Sequence, residues 1–272
     1  NMTQARELGC TVEEVASWRD AAEDVYIPYD EALKVHPQSE GFTRHEVWDF
    51  AAYKDKYPLL LHAPYFDLYR KQVVKQADLV LAMHWCGDRF SDEDKARNVD
   101  YYERRTVRDS SLSACTQAVM AAEVGHLELA HDYAYEAALV DLRDLHHNSR
   151  DGLHMASLAG AWIALVAGFG GMRDHGGGLT LDPALPGGIS RLCFTVRWRG
   201  VRLRVRVDHE NVVYEVHEKD DGEVNFHHNG EEVTVSKGHP VTRPMKHRSP
   251  LLPAPSQPVG RAPMARHEQH VR

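Results

Sequence analysis

The chain has 272 residues, a formal net charge of −8, 43% hydrophobic and 26% charged residues, the proportions of an ordinary globular protein with a sizeable core. Excess negative charge argues against general affinity for nucleic acid or anionic membrane surfaces, both of which need a basic face. Cys10, Cys86, Cys115 and Cys193 form no C-x-x-C pair, which suits buried thiols in a reducing, cytoplasmic setting better than a disulfide framework.

The opening NMTQARELG lacks the basic end, apolar run and cleavage site of a signal peptide. Unless Met2 is an initiator, the chain is expected to begin inside a larger protein. TVEEVASW places Thr11 three before Glu14, a capping box, and Val15, Trp18, Ala22 and Val25 follow at helical spacing. Residues 26–66 carry scattered Pro, Gly and aromatics, a long irregular connection of the kind that is usually functional. Helices are then expected through LYRKQVVKQADLVLAMHW and through SDEDKARNVDYYERR, the latter capped by Ser91.

Behind RDSSLSAC comes a helix with Leu112, Cys115, Val119 and Ala122 on one face, closed by Gly125. HLELAHDYAYEAALVDL follows, with Leu127, Ala130, Ala134 and Ala138 in register, so the two form an antiparallel helical hairpin. The loop HHNSRDGLHM leads to ASLAGAWIALVAGF, too short for a membrane span and expected to be a fully buried helix. Near residue 175 the period changes from 3.6 to 2: LCFTVRW and VRLRVRV alternate about an Arg-Gly turn, and VVYEV, VNF and VTV follow between Asp-Gly and Asn-Gly turns. This predicts a small antiparallel sheet or sandwich over 175–243. From Pro244 to 272 the chain is rich in Pro, Arg and His without periodicity and is predicted disordered.

The 18 histidines raise the question of a metal. No H-E-x-x-H occurs, HEQH lies in the tail, and the adjacent pairs His146–His147 and His227–His228 chelate poorly, so no metal or other cofactor is expected. Arg202, Arg204 and Arg206 alternate on one strand; a solvated sheet face explains them better than a phosphate-binding stripe, because nothing else is basic. Lys75 and Gln76, placed within the expected helix, could donate to sugar hydroxyls or simply face solvent. Three hydroxyls, Ser110, Ser111 and Ser113, exceed what one N-cap needs. His154 precedes another helix start. Helix N-termini offer unpaired N–H groups and a positive dipole end, so the two starts could share one anion.

KQADLVLAM, TVRDSSLSACTQAVMAAEVGHLELAHDY and RDGLHMASLAGAWIALVAGFGGM resemble the C-terminal half of glycoside hydrolase family 65, in order between about Thr11 and Arg243. EGFTRHEVWDF is similar to the loop before that family's Lys–Gln helix. The resemblance implies an α plus β multidomain chain: the C-terminal half of an (α/α)6 catalytic barrel over 1–174, then the antiparallel β domain. It also implies inverting phosphorolysis of an α-linked glucose disaccharide of the maltose, trehalose or kojibiose type to β-glucose 1-phosphate, with inorganic phosphate as co-substrate attacking opposite the protonated glycosidic oxygen. Lys75 and Gln76 match the pair that grips the glucosyl unit, and Ser110, Ser111 and His154 match phosphate-binding positions. Ser113 stands between that role and a plain helix hydroxyl. The general-acid glutamate is expected upstream of Asn1, so no catalytic residue is assigned within this chain. Hydrolysis on the same scaffold is the alternative, as is a non-catalytic sugar- or phosphate-binding remnant. A homodimer is the family expectation for the full-length protein.

Overall fold

A computed structural model describes residues 2–263. Helices come first in the chain: α1 (Met2–Glu7), α2 (Val12–Asp24), α3 (Tyr65–Leu68), α4 (Asp78–Trp85), α5 (Asp92–Glu103), α6 (Ser113–Glu123), α7 (Leu127–Leu139) and α8 (Met155–Ile163). The capping box is present: Glu14 N–H donates to Thr11 Oγ1 at 3.1 Å and Thr11 N–H to Glu14 Oε2 at 2.8 Å. Yet α2 buries no residue, and Trp18 is 57% exposed. Ser91 caps α5 by accepting from Asp94 N–H at 3.1 Å. α6 and α7 form the expected hairpin, turned by Gly125 at φ 91°. Their contact is alanine-rich (Ala118, Ala121, Ala122, Ala130, Ala134, Ala137), so the two backbones approach closely.

Three expectations are corrected. The helix predicted from Leu68 is helical only over α4; two short strands, β1 (Glu46–Val47) and β2 (Lys71–Gln72), pair in parallel ahead of it. Val74 N–H then bonds to Arg105 O, and Val107 N–H to Val74 O, both at 2.9 Å. The β-branched pair Val73–Val74 favours this extended run over a helix. Second, α8 is not fully buried. It continues as a π turn over Ala164–Phe169, and its outer face leaves Met155 69% and Trp162 51% exposed. Third, residues 245–263 have no regular element but pack onto the helical layer. Arg248 donates to the Ala122 and Glu123 carbonyls at 3.4 and 3.2 Å, and Pro250 passes so near Gly125 that a Cβ there would meet its N at 2.8 Å. Arginine side chains satisfy the helix-end carbonyls here, which periodicity does not register. The rest of the predicted tail, including HEQH, lies outside the described residues.

The sandwich is built from β3 (Met172–Arg173), β4 (Thr180–Leu181), β5 (Arg191–Trp198), β6 (Val201–Asp208), β7 (Asn211–Val216), β8 (Glu223–His228), β9 (Glu231–Ser236) and β10 (Val241–Pro244). One sheet runs β10-β7-β6-β5, the other β3-β4-β8-β9, with β4 parallel to β8 and the remaining pairs antiparallel. Arg199–Gly200 and Asn229–Gly230 have positive φ at both positions, the turn geometry that suits two-residue hairpins. The arginine stripe is largely neutralised: Arg202 holds Asp220 with two bonds of 2.9 and 3.0 Å, and Arg206 holds Glu215 at 3.1 Å. One contiguous core extends from α6 and α7 through Phe169 into Phe194, Val205, Tyr214 and Phe226 of the sandwich.

Candidate active site

The serines do not cap α6. Leu112 occupies the cap position without a side-chain bond; Ser110 Oγ instead accepts from Leu112 N–H at 3.3 Å, and Ser113 N–H reaches Ser110 O at 3.3 Å. Ser113 is 1% exposed and its Oγ has no partner among the described residues. Ser110 and Ser111 are half-buried at the open end of the helix, beside first-turn N–H groups that no side chain satisfies.

His154 stands at the start of α8, again without a side-chain cap. Asp141 receives its backbone N–H at 2.9 Å and its Nδ1 at 2.5 Å. A carboxylate only accepts, so Nδ1 carries the hydrogen and Nε2 is left to meet a ligand. The His154 bond holds the Asp141 carboxyl below the usual carboxylate range. The His146 ring lies 5.6 Å from that of His154.

The two helix starts lie at the same end. A Cβ on Gly160 would lie 2.6 Å from Cys115 Sγ, and one on Gly168 3.5 Å from Val119 Cα. Residue number therefore rises in the same direction along α6 and along α8 with its π turn. The two pack against each other and run in the same sense, inclined rather than strictly parallel, with α7 returning between their sequences. Their N-terminal dipole ends face the same way.

Lys75 and Gln76 sit in the bend between the extended run and α4, not within a helix. Lys75 O accepts from Asp109 N–H at 3.1 Å, which joins this run to the residue preceding the serines. Lys75 is exposed and lines a cleft of about 420 Å³ with Tyr65, Tyr69, Leu59 and Asp109. Gln76 turns back to α4 through its Nε2, 2.8 Å from Asp78 Oδ1. A second cleft, of about 360 Å³, is lined by Tyr57, Asp109, His146, His147 and Arg261. Asp109 belongs to both, and its carboxylate is buried, accepting from Leu59 N–H at 2.6 Å and Arg261 Nη2 at 3.2 Å. The structure thus groups Lys75 with the serine segment through Asp109, and His154 reaches the second cleft through His146.

Several residues here escaped the sequence reading. Arg108 is completely buried at φ 52°; its Nε is 3.4 Å from Glu136 Oε1 and its Nη1 3.1 Å from the Tyr133 hydroxyl. That hydroxyl donates to Glu103 Oε1, and burial pushes it well above its ordinary range. Glu136 lies on the alanine face of α7, and a carboxylate in an apolar register is the signal that could have revealed a buried partner. Among the described residues no group of three or more His, Cys, Asp or Glu could hold a metal, and no helix is long and apolar enough to cross a membrane.

Residues 1–163 match the glycosyl hydrolase family 65 central catalytic domain, and residues 172–235 match the family's C-terminal domain. An uncharacterized glycosyl hydrolase of Mycobacterium leprae (strain TN) is 62% identical over 267 residues, 98% of this chain and 34% of the relative. Alpha,alpha-trehalose phosphorylase of Geobacillus stearothermophilus is 42% identical over 242 residues, 87% of this chain and 30% of that protein. A solved structure assigned as a kojibiose phosphorylase from human microbiome superposes with a TM-score of 0.76 at 28% identity, covering 88% of this chain and 33% of the other. The chain spans about a third of the length of these relatives.

Proposed function

The chain belongs to glycosyl hydrolase family 65, and from that premise we propose that the longer protein of which it forms part is an inverting phosphorylase of an α-linked glucose disaccharide. Maltose, trehalose or kojibiose is the substrate type, and β-glucose 1-phosphate and glucose are the products. The observation that carries this is the shared sense of α6 and α8. It turns two helix N-termini, one with Ser110 and Ser111 and one with His154, toward the same end, and an anion is the ligand that such a pair suits.

In this reading phosphate sits against the Ser110 and Ser111 hydroxyls and His154 Nε2, while Asp141 fixes the imidazole orientation. Holding phosphate on the face opposite the protonated glycosidic oxygen turns an encounter of two solutes into an oriented displacement. Lys75 and Gln76 hold the glucosyl unit in the adjoining cleft, next to Asp109. The general acid is assigned to no residue of this chain.

The same proposal makes residues 1–174 part of an (α/α)6 barrel and 175–243 a β domain. The family matches over 1–163 and 172–235 support this division. So do the uncovered apolar side chains of α2 and α8, which the remaining barrel helices would bury.

The test is the complete protein incubated with several α-linked disaccharides, with and without phosphate. Glucose 1-phosphate of β configuration, formed only with phosphate, is expected. Glucose release without phosphate would identify a hydrolase instead.

A further inference from the structure

Arg261 follows the sandwich in a segment without regular structure, yet it is 7% exposed. Its guanidinium serves the stretch that leads into the serine pair. Nε donates to the Val107 carbonyl, and Nη2 donates to the Arg108 carbonyl at 2.8 Å and to Asp109 Oδ1 at 3.2 Å. The planar group also covers the Tyr57 ring, 4.5 Å from its centroid. Two consecutive carbonyls and the next carboxylate are captured by one rigid fork, a geometry that lysine cannot reproduce.

The residue so held needs holding. Arg108 has φ 52°, a left-handed conformation that side-chain-bearing residues rarely adopt and that persists only where surroundings over-determine it. Glu136 and Tyr133 of α7 fix its side chain. Arg261 fixes its carbonyl. If the second hold is lost, the peptide between Arg108 and Asp109 can relax, and Ser110 and Ser111 move with it.

We propose that Arg261 is a positioning residue for the phosphate site: by locking residues 107–109 it sets where Ser110 and Ser111 present their hydroxyls, which makes the segment after the sandwich a working part of the active face. The inference rests on the reading of those serines as phosphate-binding.

The test uses the complete protein, with KM for phosphate and KM for the disaccharide measured separately in Arg261→Ala, Arg261→Lys and, as a control from the same segment, Arg248→Lys. Arg261→Ala is expected to raise the phosphate KM roughly tenfold, equivalent to about 1.4 kcal/mol, with the disaccharide KM rising by clearly less, since the 107–109 stretch reaches the Lys75 run through backbone bonds. Arg261→Lys is expected to fall between Arg261→Ala and wild type, and Arg248→Lys to match wild type. If Arg261→Ala does not fold, Arg261→Lys decides on the same ratio. A folded Arg261 variant whose phosphate KM is unchanged, or whose two KM values rise equally, overturns the inference. A wild-type protein that turns over disaccharide without phosphate dependence overturns the phosphorylase reading itself, and this inference with it, before any variant is compared.

Discussion

Asp141 takes two hydrogen bonds from a single residue, the backbone N–H of His154 at 2.9 Å and its ring Nδ1 at 2.5 Å. One carboxylate therefore sets both the start of α8 and the tautomer of the imidazole there. If the complete protein is the proposed phosphorylase, Asp141→Ala is expected to release the ring and to lower its rate at limiting phosphate by about tenfold or more, the range for losing a charge-assisted hydrogen bond. Asp141→Asn keeps an oxygen for the backbone N–H but turns its amide NH2 toward Nδ1, which favours the opposite tautomer and protonates Nε2, so it too is expected to fall below wild type. Initial rates across a phosphate series check both.

Glu123 is held by Lys95 at 2.6 Å and Arg173 at 2.5 Å, joining α5, α6 and β3. Burial works against its charge, but the two cations prevail and bring its carboxyl from 4.5 to about 2. Because the folded value is the lower one, this stabilisation is fully present above pH 4.5 and is lost as pH falls from 4.5 toward 2. The difference corresponds to about 3 kcal/mol. Glu123→Gln should lower the neutral-pH melting temperature and flatten the acid limb of a stability–pH curve followed by urea unfolding. His84, pushed down from 6.5 to about 4 chiefly by burial, adds a second loss that begins as pH drops below 6.5.

Gly160 is the point where α8 crosses α6, with no room for a Cβ beside Cys115. Gly160→Ala is expected to destabilise by about 1–3 kcal/mol, an overpacking cost that outweighs alanine's better helix propensity. Because Cys115 Cβ itself lies 2.6 Å from that position, Gly160→Ala/Cys115→Ala should recover little of the loss in denaturant melts, which separates a backbone-close crossing from a simple thiol clash.

Residues 1–272 produced alone should self-associate, because in the proposed half-barrel the outer face of α8 is exposed at Met155, Leu158, Trp162 and Ile163. Light scattering should show larger species whose proportion falls on Trp162→Glu. A compact monomer with a cooperative melt would argue against the half-barrel.

The α6–α7 hairpin and the sandwich were legible in the sequence because alanines at helical spacing and strict alternation about Arg-Gly and Asn-Gly mark buried faces directly. The serine and His154 helix starts were legible from the apolar spacing that begins behind them, although neither start carries a side-chain cap. The run around Lys75 was not: its apolar spacing reads as helix, and only the pairing of Val74 with residues 105–107, distant in sequence, draws it into an extended conformation. Nor could spacing disclose Arg261. Its bonds go to carbonyls, which every residue has, so no pattern in the partner segment announces the contact.

Asp109 and Arg261 are separated by 152 residues of chain, and the whole sandwich lies between them. During synthesis the helices on which the serines sit can form long before their clamp exists. At typical elongation rates that interval lasts roughly ten to thirty seconds, during which Arg108 has only its α7 partners to oppose relaxation. A nascent chain stalled within the sandwich would therefore carry Ser110 and Ser111, the serines proposed to hold phosphate, without the geometry the clamp imposes.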